Sequence, residues 1–279
     1  MKSVLITGCS SGIGYAAAHL LHRQGWRVFA SCRKAEDVAR LQAEGLTCLQ
    51  LDITDDAQIR AAFAQVTAAT GGTLDALFCN AGFGQPGAVE DISRAALQAQ
   101  FDTNVFGTWM CINEAMHIFR RQNHGRILVN SSILGFAAMS WRGAYNSSKF
   151  ALEGLCDTLR NEVYGSGIHV SLLEPGPISS RFRAHALTHF QKHIDTAASF
   201  HREAYKAQLA RLQSEGDNTP FTLTSEACAE VCARALNAAR PKARYRVTVP
   251  TQVFWYLKRL LPTALLDYCL RRAVGSEGK

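Results

Sequence analysis

The chain has 279 residues, 47% of them hydrophobic, and a net charge of +7. This length and apolar content supply a full core and exclude a disordered or low-complexity chain. The charge is spread without a dense Lys/Arg run, which suits small anionic ligands and speaks against a nucleic-acid footprint.

Nine cysteines are scattered without a CxxC pair, and several, such as Cys48 and Cys79, sit inside apolar runs. That pattern fits reduced, buried thiols of a cytoplasmic protein and not a disulfide framework. Met1-Lys2-Ser3 runs directly into a strand, so no signal peptide is expected. No apolar run approaches the roughly 20 residues needed to span a bilayer.

Val4 to Ile6 reads as a short buried strand. It leads into Thr7-Gly8-Cys9-Ser10-Ser11-Gly12-Ile13-Gly14 and a helix through Gln24. The glycines allow a tight turn and close approach to a ligand. The helix N-terminus then offers N–H groups to a phosphate. The spacing is GxxxGxG; it is neither GxGxxG nor a P-loop with its Lys-Ser/Thr ending.

The second strand, Arg27 to Ser31, ends in Ser31-Cys32-Arg33-Lys34. An acid at this place would bind a ribose 2′-hydroxyl, and here Arg33 stands ready for a 2′-phosphate instead. NADP is therefore expected over NAD. The third strand, Leu46 to Leu51, ends at Asp52, which can accept a bond from adenine or cap the next turn. A helix from Asp55 to Ala69 follows, then a fourth strand, Ala76 to Cys79, ending Asn80-Ala81-Gly82.

The next helix runs from Ala95 to Gln122, with a break expected near Asp102. Asn104-Val105-Phe106-Gly107 is poor helix chemistry and points to a local distortion. The fifth strand, Arg126 to Asn130, delivers Ser132. In the helix from Gly143, Tyr145 and Lys149 lie one turn apart on one face. An ammonium beside a phenol favours phenolate, so Lys149 is expected to lower the Tyr145 pKa and ready it as a general acid/base. Ser132 is placed to hydrogen-bond a reacting carbonyl oxygen. The sixth strand, His169 to Leu173, ends Glu174-Pro175-Gly176-Pro177-Ile178. Strands that alternate with helices and read as apolar runs predict an α/β, Rossmann-like, doubly wound parallel sheet of about seven strands.

Six motifs, Thr7-Gly8-x3-Gly12-x-Gly14, Asn80-Ala81-Gly82, Asn104, Ser132, Tyr145-x3-Lys149 and Pro175-Gly176, stand in one order over roughly residues 3–182. Together they resemble the short-chain dehydrogenase/reductase family. Tyr145-Asn-Ser-Ser-Lys-Phe-Ala-Leu-Glu153 resembles the branch of 17β-hydroxysteroid and retinol dehydrogenases. Glu174-Pro-Gly-Pro-Ile178 and Lys258-Arg-Leu-Leu-Pro262 look like bacterial NADP-dependent aldehyde reductases.

The resemblance implies roles. Tyr145 is the general acid/base, and Lys149 lowers its pKa and holds the nicotinamide ribose. Ser132 orients the substrate oxygen, and Asn104 holds a water that links Lys149 to solvent. The NADP contacts implied are Gly8, Ser10, Ser11, Gly12, Ile13, Gly14, Arg33, Asp52, Ile53, Asn80, Ala81, Gly82, Tyr145, Lys149, Pro175, Gly176, Ile178 and Ser180. Ser180 stands where many members have threonine, and Ser11 where many NADP users have a base. A homodimer or homotetramer through the two long helices beside the sheet is also implied. A catalytically silent NADPH sensor would have no need of the Asn104, Ser132, Tyr145 and Lys149 set, and an isomerase or dehydratase commonly has a longer C-terminal domain.

The chain is expected to form a single domain over 1–279, with a substrate lid at 179–221 and a tail at 250–279. The loop Ile133 to Arg142, with Phe136, Met139 and Trp141, suggests a hydrophobic carbonyl or alcohol substrate. His185, His189 and His193 make a helical stripe. Without HExxH and with no use for metal in hydride chemistry, it reads as a solvated lid face and not a metal site. An amphipathic helix is expected from Ser225 to Ala239 and a seventh strand from Tyr245 to Val249. The segment Val253 to Arg272 reads as a helix that caps the core, with a dimer contact or a membrane-surface contact as alternatives; Pro262 weakens the last.

Overall fold

The computed structural model describes residues 1–214 and 220–274; the parts of the expected lid at 215–219 and of the tail at 275–279 lie outside the described residues. Seven parallel strands form one sheet in the order β3-β2-β1-β4-β5-β6-β7. They are β1 (Ser3–Ile6), β2 (Arg27–Cys32), β3 (Thr47–Gln50), β4 (Ala76–Cys79), β5 (Gly125–Asn130), β6 (Ile168–Glu174) and β7 (Arg244–Arg246). All residues of β1 and β4 are buried, because helices cover both faces of the sheet. The strand order reverses between β1 and β4. That switch point opens a crevice at the carboxyl ends of the strands, where ligands bind in such sheets.

The helices in chain order are α1 (Gly12–Arg23), α2 (Ala35–Ala43), α3 (Asp56–Thr70), α4 (Arg94–Phe101) and α5 (Thr108–Gln122). After them come α6 (Gly143–Glu162), α7 (Phe182–His193), α8 (Arg202–Gln213), α9 (Ser225–Asn237), α10 (Val249–Leu260) and α11 (Thr263–Val274). One core layer joins α1, α2 and α9 to the sheet through small residues such as Ala17, Ala18, Cys228 and Ala229. Their short side chains let α1 and α9 lie close together. The other layer packs α3, α5 and α6 through larger groups, including Ile59, Phe63, Phe119 and Leu152.

The distortion expected around Asn104 is a π-helix, Asp102–Gly107, which links α4 to α5. A wider turn of this kind is rare and gathers at functional sites. Its last residue touches the β3–α3 connection: a Cβ on Gly107 would lie 2.2 Å from the Ile53 carbonyl oxygen. Asp55 accepts from the Ala57 and Gln58 N–H groups and caps α3, which explains the sharp start of that helix.

One expectation changes at the C-terminal end. The seventh strand is Arg244–Arg246, not Tyr245 to Val249. Thr248 instead caps α10, accepting from the Thr251 N–H, and Pro250 occupies the first turn. Proline fits there because the first turn needs no N–H donor. The tail forms two helices separated at Pro262. Phe254, Leu257, Leu261, Leu266 and Leu270 pack on Ile133, Leu134 and Ala137, so this segment caps the core. Among the described residues, no helix is long and apolar enough to cross a membrane.

Gly107→Ala is expected to destabilise the fold by about 1–3 kcal/mol through the clash with Ile53. Gly154→Ala, exposed within α6 with nothing near its would-be Cβ, is expected to be neutral or to gain up to ~1 kcal/mol. Urea unfolding of both variants checks the pair.

Candidate active site

The glycine turn at the end of β1 has two residues in the left-handed region, Gly8 at φ +73° and Gly12 at φ +64°. A Cβ on Gly8 would stand 2.7 Å from the Ala81 Cα, and one on Gly14 would stand 2.4 Å from the Asn80 side-chain nitrogen. The turn therefore interlocks with the end of β4. Thr7 Oγ1 accepts from the Asn80 and Ala81 N–H groups, both at 3.0 Å. Asn80 Nδ2 donates to the Thr7 and Gly8 carbonyls at 3.1 and 2.9 Å.

Ser11 precedes α1 without a side-chain capping bond, and the first turn of α1 carries no acid. That leaves a positive helix end facing the crevice with no charge of its own to neutralise it. This is the chemistry of a phosphate cradle. Ser10 and Ile13 flank the turn, and Ile13 packs partly against the core below. Arg33 is exposed just beyond β2. His185, on α7, lies below its ordinary pKa through burial and then through the positive charges of Arg181, Arg33 and Lys34. The end of β2 and the start of α7 thus share one field of cations.

Asp52 Oδ1 accepts from the Thr54 N–H and hydroxyl at 3.0 and 2.8 Å, so of its two anticipated uses this structure has the turn cap. Ile53 buries its side chain in the core and has only backbone to offer a ligand. Pro175 accepts from the Ile133 N–H at 2.8 Å, which ties the loop after β6 to the turn after β5. Gly176 admits no side chain, since a Cβ would lie 2.1 Å from Thr248 Oγ1. Ile178 pairs with Leu223 as an isolated bridge, and Ser180 accepts from the Phe182 N–H at 3.3 Å. A Cβ on Gly12 would lie 3.4 Å from the Ser180 Cβ, so this loop meets the glycine turn.

Asn104, Ser132, Tyr145 and Lys149 converge beside this crevice. Asn104 is buried in the π-helix; its Oδ1 accepts from the Phe83 N–H at 3.0 Å, and its Nδ2 donates to the Phe83 carbonyl at 3.0 Å and to Ser148 Oγ at 3.1 Å. It therefore fixes the loop after Gly82 to α6. Gly82 lies against it: an added Cβ would be 3.0 Å from Asn104 Oδ1. Lys149 is buried and donates from Nζ to the Asn130 carbonyl at 2.6 Å. Ser132 Oγ accepts from the Leu134 N–H at 3.1 Å and also hydrogen-bonds the Tyr145 phenol.

The expected lowering of the Tyr145 pKa is not what the protein's own groups produce. Burial pushes the phenol up to about 12, and only the Ser132 bond pulls it down. Lys149 Nζ is 5.5 Å from the ring centroid and turned toward the Asn130 carbonyl. Burial brings the ammonium down to about 8, while the Glu153 charge opposes that fall. For Tyr145 desolvation outweighs the Ser132 bond, and for Lys149 it outweighs the Glu153 charge.

Several residues without a role in the motifs belong to the site. Asn130 Nδ2 donates to Asn80 Oδ1 at 3.0 Å and bridges the ends of β4 and β5. Phe182 sets its ring edge-on to Tyr145 at 5.4 Å, over the crevice from the α7 side. Asn130 was detectable as a polar residue closing an apolar strand. Phe182 carried no signal, because its position depends on how α7 folds back.

The apolar groups of the Ile133 to Arg142 loop divide. Phe136 and Met139 pack with Tyr145 against the tail helices, whereas Trp141 packs with Phe190 and Tyr205 of α7 and α8. Trp141 adopts φ +64°, unusual for a bulky residue, which turns its ring toward Tyr205. The histidine stripe differs from a simple solvated face. His189 stacks on Phe83 at 4.0 Å and on His193 at 6.2 Å, because α7 closes on the loop after β4. Among the described residues, no group of three His, Cys, Asp or Glu side chains is arranged to hold a metal ion. All nine cysteines are free, and eight are buried.

The sequence pattern of the short chain dehydrogenase family matches residues 2–189. An uncharacterized oxidoreductase of Escherichia coli, YbbO, is 39% identical over 271 residues, covering 97% of this chain and 94% of its own. Human 17-beta-hydroxysteroid dehydrogenase type 1 is 36% identical over 260 residues, 88% of this chain and 77% of its own. The crystal structure of a short-chain dehydrogenase from Streptomyces avermitilis superposes with a TM-score of 0.75 at 26% identity, covering 99% of this chain and 98% of the other.

Thr7→Val keeps the shape of the side chain and strands the Asn80 and Ala81 N–H groups. It is expected to cost about 1–3 kcal/mol of stability for want of those bonds. Urea unfolding with the linear extrapolation checks it, and an unchanged midpoint would show that Thr7 does not hold the turn.

Proposed function

The chain belongs to the short chain dehydrogenase family, and on that premise we propose that it is an NADP(H)-dependent oxidoreductase that reduces a hydrophobic aldehyde or ketone to its alcohol, or runs the reverse. The observation that carries this reading is the convergence of Ser132, Tyr145 and Lys149 at the carboxyl end of β5, beside an uncapped helix end and a glycine turn. The crevice suits a dinucleotide. Its glycines leave the backbone bare, and the first turn of α1 has donors and no acid.

Gly8, Ser10, Ser11, Gly12, Ile13 and Gly14 would hold the pyrophosphate, and Arg33 the 2′-phosphate. The cation field of Arg33, Lys34 and Arg181 around His185 supports the phosphorylated cofactor. Asp52 and Ile53 would border the adenine, and Asn80, Ala81 and Gly82 the adjoining ribose. Tyr145 and Lys149 would hold the nicotinamide ribose, and Pro175, Gly176, Ile178 and Ser180 the carboxamide. When bound, the nicotinamide gives or takes the hydride.

The chain's own part is placement and the proton. Ser132 donates a hydrogen bond to the substrate oxygen and fixes it against Tyr145. Tyr145, held up at about 12, keeps its proton at neutral pH and passes it from Oη to that oxygen as the carbonyl is reduced. Lys149 keeps a positive charge behind the phenol and steadies the phenolate left after transfer. Asn104 secures the Phe83 loop and α6 around this route, and there a water would join Lys149 to solvent.

Phe136, Met139, Phe254, Leu257 and Leu261 border Tyr145 on one side and Phe182 on the other, which supports an apolar substrate. The α7–α8 pair serves as the lid over it. A steroid or retinoid alcohol is the second reading, favoured by the 36% identity to the human hydroxysteroid enzyme. Exposed Phe106, Trp109, Phe150 and Leu155 on the π turn, α5 and α6 support a homodimer or homotetramer through those helices. Nine cysteines without a disulfide support a cytoplasmic enzyme.

Tyr145→Phe is expected to bind NADPH within about twofold of wild type and to lose on the order of 10²–10⁴ in turnover. Cofactor fluorescence titration and steady-state NADPH oxidation measure the two, and wild-type turnover in the variant would end the assignment. The pH profile of reduction is expected to be flat through pH 7 and to fall as pH rises through the Lys149 value of about 8. Arg33→Ala is expected to raise KM for NADPH and leave KM for NADH unchanged.

A further inference from the structure

Behind the catalytic face lies a second set of charges that the proposed reaction does not use. Glu153 sits on α6 one turn beyond Lys149 and two beyond Tyr145, on the same side of the helix. It is 8% exposed. Its Oε1 accepts from Ser131 Oγ at 2.5 Å. Its Oε2 accepts from Arg244 Nη2 at 2.9 Å and Nε at 3.2 Å. Arg244 also donates to Asp157 Oδ2 at 2.7 Å and lies 3.0 Å from Glu174 Oε1 at the end of β6. Glu174 is fully buried, and burial raises its pKa to about 7.

Ser131 stands between two groups of the site. Before it is Asn130, whose carbonyl takes the Lys149 ammonium; after it is Ser132, which bonds the phenol. The turn is shaped around the Ser131–Glu153 bond. A Cβ on Gly135 would lie 2.6 Å from Ser131 Oγ and 3.1 Å from Glu153 Oε1. One carboxylate thus joins α6, the end of β5 and, through Arg244, β6 and β7.

We propose that Glu153, anchored by Arg244, is a positioning residue of the hydride-transfer site: it holds the Ser131–Ser132 turn in register with Tyr145 and supplies the negative charge that keeps Lys149 an ammonium. The inference rests on the oxidoreductase reading above. The groups facing Lys149 are Glu153, Cys156 and the Tyr145 ring on α6, Cys79 on β4 and the Asn130 carbonyl on β5. Glu153 is the only acid among these named groups. The groups facing Glu153 are Ser131, Arg244, Asp157, Glu174 and Lys149, and Arg244 is the cation in direct contact with Glu153 and both neighbouring acids.

The two duties separate by substitution. Glu153→Gln keeps an acceptor for Ser131 and removes the charge. Ser131→Ala keeps the charge and removes the bond. Full-length wild type and both variants are assayed for carbonyl reduction across pH, with folding checked by circular dichroism. In Glu153→Gln, the lost charge lowers the Lys149 pKa, so the alkaline fall in kcat is expected to move to lower pH. In Ser131→Ala, kcat is expected to drop on the order of tenfold, with KM within about twofold and the alkaline limb unmoved.

A folded Glu153→Gln with the wild-type limb overturns the charge role. Wild-type kcat in Ser131→Ala overturns the positioning role, and it does so even if Glu153→Gln fails to fold. Absence of turnover in wild type itself would strike the oxidoreductase reading, which keeps the two failures apart.

Discussion

A buried ammonium is the constraint around which this protein is arranged. Lys149 is 4% exposed and donates a hydrogen bond from Nζ to the Asn130 carbonyl at 2.6 Å. A charge so placed loses most of its hydration and must recover that energy from fixed partners. The partners come from several elements: the end of β5 supplies the acceptor, α6 supplies Glu153, and Arg244 on β7 secures Glu153. The π turn then ties α6 to the loop after β4 through Asn104. The site exists where these supports meet, at the carboxyl ends of the strands next to the switch in strand order.

Much of this was legible in the sequence. The central strands stand out because two-sided burial makes them continuous apolar runs. The π turn was visible as a conflict, with Asn104 and Gly107 inside an otherwise helical stretch. Asp55 announced the start of α3. Where sequence reading erred, the physics was non-local. The edge strand β7 has only three residues, all half-buried, and the more β-like Val247-Thr248-Val249 was taken into it, although Pro250 marks a helix start. The Lys149 ammonium was expected to lower the pKa of Tyr145, one turn away, whereas burial raises it. Helix spacing does not carry that burial. Phe182 and Arg244 reach the site from distant segments and bear no local pattern.

The apolar side of the crevice has two owners. The tail helices α10 and α11 close one wall by packing on the Ile133 turn, and α7 and α8 close the other. Tyr205 is fully buried, accepts from the Ala88 N–H at 2.9 Å and donates to Asp91, so α8 is fastened at its base. Both walls are thus built from segments outside the six motifs.

The most direct measurement is the rate of NADPH and NADH oxidation by the wild-type protein with medium-chain aldehydes, aromatic aldehydes, retinal and a 17-keto steroid. Apolar carbonyls are expected to turn over with NADPH and much more weakly with NADH. Tight NADPH binding with no turnover of any carbonyl would contradict this and leave a protein that binds the cofactor without catalysis.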